Sequence, residues 1–113
     1  MNEPKIVTLC GSTRFKDEFL KAQKDFTLKG YIVLTVGCYP HTDKDDLTEE
    51  QKRAVDELHL RKIDMSHMVY VINKGGYIGD STKREILYAQ CIGVKVFFLE
   101  ELPEPIDLFT SSN

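Results

Sequence analysis

Two short segments carry the residue types with the clearest potential for chemistry. The first is Gly11-Ser12-Thr13-Arg14, between an apolar run and an amphipathic segment, and the second is the glycine-rich stretch 74–82. In the first segment, backbone N–H groups at a helix N-terminus, two hydroxyls and a guanidinium together favour a small anion such as phosphate or carboxylate. The spacing matches neither a Walker loop nor G-x-G-x-x-G, and the alternative is a capped helix with Arg14 on the surface.

The second segment predicts a loop that opens a helix. Its three glycines, Gly75, Gly76 and Gly79, allow positive φ and let a ligand approach the backbone. Thr82-x-x-Glu85 has the spacing of a capping box, so the helix is predicted to begin near Ser81 or Thr82.

Glu85 has two interpretations, as the reciprocal partner of that cap or as a functional carboxylate. At helical spacing it lies among Tyr88, Ala89 and Ile92, in the middle of the apolar stripe. A carboxylate held there is partly desolvated, as site carboxylates often are. This placement favours a functional Glu85.

A carboxylate beside a phosphate-binding loop suggests chemistry at the anomeric carbon of a sugar. Glu85 would attack that carbon while an acid protonates the leaving base. Asp80 is positioned to orient the sugar or to protonate the base, and its alternative is a charge that favours the helix dipole.

The elements that must position these residues alternate between strand and helix. Apolar runs predict strands at Lys5–Cys10, Tyr31–Val36, Met68–Ile72 and Val94–Leu99, with helices at about 13–29, 48–66 and 82–92. The second strand is almost wholly apolar and is therefore predicted to be buried. This β-α-β-α-β-α-β order predicts a Rossmann-like (flavodoxin-like) three-layer α/β/α sandwich with a parallel sheet of order 2-1-3-4. The two loops would then face each other across the switch point between strands one and three.

Three other features need an interpretation. Residues 37–47 form either a lid over the sheet edge or a plain surface loop, and the tail, 100–113, packs locally or on a partner. Thr48-x-x-Gln51 predicts a capping box for the second helix. His59 lies on or beside that helix's packed face, where a hydrogen-bonded core residue is more usual than a catalyst.

Composition limits the class of protein. The chain has 113 residues, 42% apolar and 29% charged, with a net charge of −3, which predicts one globular domain (1–113) that binds no nucleic-acid polymer. No segment predicts a membrane span or a signal peptide, and a cytoplasmic protein is expected. Cys10, Cys38 and Cys91 are scattered and predict reduced thiols, with no metal site and no cofactor.

The two loops together resemble those of the nucleoside 2-deoxyribosyltransferase-like superfamily, which includes the 2′-deoxynucleoside 5′-monophosphate N-hydrolases. Cys10–Arg14 is similar to the Gly-Ser-x-Arg loop that holds the 5′-phosphate in the hydrolase branch. Gly79–Thr82, followed by Glu85 and Ala89, resembles the loop that leads to the family's glutamate nucleophile. The resemblance implies that Glu85 is the nucleophile, that Ser81 contacts phosphate or sugar, and that a second subunit completes the site of a homodimer or higher homo-oligomer.

The chain departs from the family pattern at several positions. His59 and His67 stand where the family usually carries aspartates, so either His59 acts as the acid/base group or the site has lost that role. Thr8 replaces a tyrosine, which leaves Tyr39 or Tyr77 to supply an aromatic contact. The expected function is cleavage or transfer at the N-glycosidic bond of a nucleoside or nucleoside 5′-monophosphate. The alternatives are a non-catalytic nucleotide-binding module and a fold used only for protein interaction.

Overall fold

The computed structural model describes residues 3–102, which form a four-stranded parallel sheet flanked by helices. The strands are β1 (Ile6–Gly11), β2 (Ile32–Leu34), β3 (Met68–Ile72) and β4 (Lys95–Phe98), and their order in the sheet is β2-β1-β3-β4. The helices are α1 (Lys16–Leu28), α2 (Pro40–Asp43), α3 (Glu49–Asp64) and α4 (Asp80–Cys91). The predicted α/β class and the strand order 2-1-3-4 are therefore confirmed.

Alternation along β1 divides the core into two layers. Val7 and Leu9 pack with Phe19 of α1 on one face of the sheet. Cys10 packs on the other face with Ile63 of α3 and Ile86 of α4. Successive side chains of a strand point to opposite faces, so the two central strands are covered on both sides.

The end of β1 lies very close to β3. Gly11 pairs with Ile72 in the parallel register and has a φ of +146°. A Cβ atom at this position would lie 2.6 Å from the Ile72 carbonyl oxygen, so only glycine fits without a shift of the backbone. The chain then turns through a 3-10 segment, Thr13–Phe15, before α1 begins, where the sequence predicted one continuous helix.

The two predicted capping boxes have different outcomes. At α3 the prediction is confirmed, because Gln51 N–H donates to Thr48 Oγ1 and Thr48 N–H donates to Gln51 Oε1. At α4 it is wrong, because Gly79 is the N-cap residue and the helix begins at Asp80. Thr82 is therefore inside the first turn and buried, and Glu85 is not a cap partner.

Three other segments complete the comparison with the sequence. β2 was predicted to be buried, which is wrong: it is an edge strand, and Ile32 is 48% exposed. The segment 37–47 contains the short helix α2, and most of the tail, 103–113, lies outside the described residues.

Within residues 3–102, none of the helices combines the length and the apolar character that crossing a membrane requires.

Candidate functional site

A cavity of about 690 Å³ opens at the carboxyl ends of β1 and β3. The segment 11–14 forms one wall and the start of α4 forms another, as expected at the switch point of an open α/β sheet. The segment 36–47 and one face of α3 close the remaining sides. The two loops that the sequence singled out therefore line one cavity.

The first loop holds its arginine in a defined position. Ser12 is the N-cap of the 3-10 segment, and its Oγ accepts hydrogen bonds from Arg14 N–H, at 3.3 Å, and from Arg14 Nε–H, at 3.0 Å. The guanidinium carbon lies 4.5 Å from the ring centroid of Tyr77, which comes from the glycine-rich loop. Arg14 thus links the two loops at the cavity wall.

The segment 37–47 is tied to the same loop. Thr13 Oγ1 and His41 Nδ1 are 2.6 Å apart, and Thr42 Oγ1–H donates to the Thr13 carbonyl at 3.2 Å. Lys16 and Asp43 form an ion pair at 2.9 Å. These contacts place α2 beside the anion-binding candidate, as a lid would require.

Glu85 extends from the second turn of α4 into the floor of the cavity. Burial raises the pKa of its carboxyl from 4.5 to about 7, with a further increase from the charge of Asp56. A hydrogen bond with the Cys10 thiol and the charge of Arg84 lower the same pKa. The carboxyl therefore titrates close to neutral pH, in the range that suits an acid/base or nucleophilic group.

Cys10 and His59 lie next to this carboxylate. Cys10 Sγ is 3.4 Å from His59 Nε2, and both side chains are buried. Burial lowers the pKa of His59 from 6.5 to about 4, with the charge of Lys62 acting in the same direction. Burial and then the Glu85 carboxylate raise the pKa of the Cys10 thiol well above its usual value. At neutral pH the imidazole and the thiol are therefore both uncharged.

Most of the residues selected from the sequence line this cavity: Gly11, Ser12, Thr13, Arg14, His59, Tyr77, Gly79, Asp80, Ser81 and Glu85. Tyr39 does not line it. It packs edge-on against Phe19, with the ring centroids 5.8 Å apart. His67 serves the backbone instead, because its Nδ1 accepts the Ile6 N–H at 2.9 Å.

The sequence did not indicate two residues that act on Glu85. Asp56 lies one helical turn before His59 on the same face of α3, a spacing that could have been used to find it. Cys10 was interpreted only as a buried thiol, although it immediately precedes the first loop. Its contact with His59 joins residues 49 positions apart, so it depends on how α3 packs on the sheet.

Comparison with protein-family models, curated proteins and solved structures finds no significant match to this chain. Function is therefore inferred from the cavity and from the motifs that line it.

Proposed function

We propose that the cavity binds a nucleoside or nucleoside 5′-monophosphate and that Glu85 cleaves its N-glycosidic bond, by hydrolysis or by transfer to another base. One observation carries the proposal. The partly buried carboxylate of Glu85 and the loop 11–14 line the same cavity, with the carboxylate on the floor and the loop on the wall. This is the arrangement that an enzyme needs to hold a phosphate and attack the attached sugar.

The size and polarity of the cavity suit such a ligand. Small-molecule sites usually enclose about 300–1,000 Å³, and this one encloses about 690 Å³. The Arg14 guanidinium and the backbone N–H groups near Ser12 supply the donors for a phosphate. Tyr77 adds an aromatic face next to Arg14, and Ser81 adds a hydroxyl at the start of α4.

The reaction then follows from the position of Glu85. Its ionised oxygen forms a bond to the anomeric carbon while the bond from that carbon to the base nitrogen breaks. The base takes a proton from an acid in the cavity, and water or a second base then displaces Glu85 from the sugar. A carboxyl with a pKa of about 7 is about half ionised at neutral pH, so an adequate fraction of the nucleophile is available.

Asp80 is one candidate for the proton donor. It lines the cavity at the first residue of α4, five residues before Glu85. His59 is the other candidate from the sequence, and its pKa of about 4 leaves the imidazole uncharged at neutral pH. Asp56 also lines the cavity and is a third candidate.

One observation favours a non-catalytic nucleotide-binding module instead. The Glu85 carboxyl is hydrogen-bonded to Cys10, which itself contacts His59, so part of its bonding capacity is used within the protein. Such a module would keep the anion-binding loop and would bind a monophosphate without turnover.

Base release separates these two functions. Purified protein is incubated with a panel of nucleosides and their 5′-monophosphates, and free base is measured by chromatography. We expect release by the wild type and by the matched control Glu57→Gln, which changes an exposed carboxylate of α3 outside the cavity. Glu85→Gln should release no base, and Arg14→Ala should lose the preference for monophosphates.

A wild type that binds a monophosphate without releasing base would instead establish the binding module. If the protein neither binds nor cleaves any member of the panel, the nucleotide proposal is wrong.

The proposal also includes location and assembly. A nucleotide substrate is consistent with a cytoplasmic protein, and the apolar tail residues Ile106, Leu108 and Phe109 suit a homodimer or higher homo-oligomer. These three residues lie outside the described part of the chain. Light scattering at micromolar concentration tests the assembly, and a monomer would contradict it.

A further inference from the structure

Three metal-ligating side chains converge beside the cavity from three different elements. Cys10 comes from β1, His59 from α3 and Glu85 from α4. One ligand atom of each, a sulfur, a nitrogen and an oxygen, lies within 4.8 Å of the other two. Among residues 3–102, no other group of three or more His, Cys, Asp or Glu side chains brings its ligand atoms this close together.

The spacing suits a single small cation. In a tetrahedral zinc site, Zn–S bonds of about 2.3 Å and Zn–N bonds of about 2.0 Å place the sulfur and nitrogen about 3.5 Å apart. Cys10 Sγ and His59 Nε2 are 3.4 Å apart. A carboxylate oxygen within 4.8 Å of both reaches the same ion with a small side-chain adjustment.

The ligand types indicate which ion. A cysteine thiolate and an imidazole together favour Zn²⁺ over Mg²⁺ and Ca²⁺, which prefer oxygen ligands. His59 and Glu85 also line the cavity, so an ion can enter from the cavity side. Three protein ligands with an open position on that side are the arrangement of zinc sites that bind water or substrate.

We propose that Cys10, His59 and Glu85 bind one Zn²⁺ ion whose fourth coordination position faces the cavity. Binding displaces the proton of the Cys10 thiol, and that of Glu85 where its carboxyl is protonated, to solvent and leaves the imidazole neutral. A second consequence rests on the proposed function. A carboxylate that coordinates the ion cannot also attack a sugar, so zinc binding and glycosidic cleavage would exclude each other at Glu85.

Metal binding is measured directly and without reference to activity. Protein stripped with a chelator is titrated with Zn²⁺ in competition with a chromophoric chelator, and Co²⁺ is used as a spectroscopic substitute. We expect one ion per chain and a thiolate-to-Co²⁺ charge-transfer band. Cys10→Ser should abolish the band, and both Cys10→Ser and His59→Gln should weaken Zn²⁺ binding by more than the roughly 10–100-fold typical of outer-shell changes.

A matched control tests whether the thiol is the correct one. The double variant Cys38→Ser/Cys91→Ser removes the two other cysteines and should retain both the stoichiometry and the Co²⁺ band. Circular dichroism melting of each metal-free variant shows whether it is folded. The site is refuted if the folded wild type binds no stoichiometric Zn²⁺, or if the double variant loses the band that Cys10→Ser keeps.

These outcomes are separate from those of the proposed function. Base release by the metal-free wild type with no zinc binding would refute the metal site alone. Stoichiometric zinc binding by a protein that releases no base in either state would support the metal site and refute the cleavage reaction.

Discussion

Replacement of Glu85 by glutamine should change the pH dependence of stability in a defined direction. Glutamine keeps the shape of the side chain and does not titrate. The pKa of the Glu85 carboxyl is about 7 in the folded chain and 4.5 as its unperturbed value, so ionisation favours the unfolded state between these two pH values. The stability that the buried, protonated carboxyl contributes is complete below pH 4.5 and is lost as the pH rises through about 7.

The magnitude follows from the separation of the two pKa values. A difference of about 2.5 pH units corresponds to at most about 3.4 kcal/mol at 1.36 kcal/mol per unit. Glu85 is only partly buried, which reduces the desolvation of its carboxylate, so we expect about 1–2 kcal/mol. The advantage of Glu85→Gln over the wild type should therefore grow by this amount from pH 4.5 to 7 and stay constant above that range.

His59 produces the opposite trend and hides part of this effect in the wild type. Its pKa falls from 6.5 to about 4 on folding, so its contribution is present above pH 6.5 and is lost as the pH falls through about 4. Between pH 4.5 and 6.5 the two groups oppose each other, and the wild-type profile should be nearly flat. In Glu85→Gln the His59 trend alone remains, and stability should rise with pH across this interval.

Urea unfolding followed by far-ultraviolet circular dichroism measures these profiles, because the chain has no tryptophan. The buffers contain a chelator so that no metal binds at Glu85. Glu57→Gln serves as the control, because it makes the same substitution at an exposed carboxylate of α3 outside the cavity. The reasoning is refuted if the difference between Glu85→Gln and the wild type is constant from pH 4.5 to above 7, or if it changes in the opposite direction.

Three further predictions concern stability and use the same urea assay. Gly11→Ala places a Cβ atom 2.6 Å from the Ile72 carbonyl oxygen at a φ of +146° and should lower the free energy of unfolding by at least about 2 kcal/mol. An unchanged urea midpoint would contradict the close approach of β1 and β3. Thr48→Ala removes the capping box with Gln51 and should cost about 1 kcal/mol, whereas Thr48→Ser should retain most of the stability. Phe19→Ala leaves a cavity at a fully buried site between α1 and the sheet and should lower the free energy of unfolding by about 3–5 kcal/mol. A loss below about 1 kcal/mol would mean that Phe19 is not packed against the sheet.

The architecture could be predicted from the sequence because the strands and helices depend on local patterns of apolar residues. Phe19 and Ala22 lie three residues apart in the sequence, which is the spacing of one helix face, and both are buried in α1. Continuous apolar runs marked the central strands, and chain order with short connections gave the strand order. The same reasoning failed for β2, because an apolar run does not reveal whether its strand lies in the centre or at the edge of a sheet.

The start of α4 shows the limit of motif spacing. Gly79, Asp80, Ser81 and Thr82 are all acceptable N-cap residues, and the capping box selected the last of them. The helix begins earlier, which places Thr82 in the buried part of the first turn and directs Glu85 to the cavity floor. The apolar stripe around Glu85 was therefore a better guide to its environment than the capping motif.

The contact between Cys10, His59 and Glu85 could not be derived from the sequence. These residues lie on three elements, and their meeting depends on the packing of α3 and α4 against the end of β1. A change in strand register of one residue would turn Cys10 to the opposite face of the sheet. The loops that line the cavity were predictable, whereas the cluster of Cys10, His59 and Glu85 was not.

Rapid-quench mass spectrometry of the metal-free protein tests the central claim most directly. The protein is mixed with the most reactive nucleoside 5′-monophosphate, quenched in acid during a single turnover, digested and mapped. A glycosyl-enzyme intermediate predicts a sugar-phosphate adduct on the peptide that contains Glu85, and no adduct in Glu85→Gln. Base release with the adduct on another residue, or undiminished release by Glu85→Gln, would contradict the assignment of Glu85 as the nucleophile.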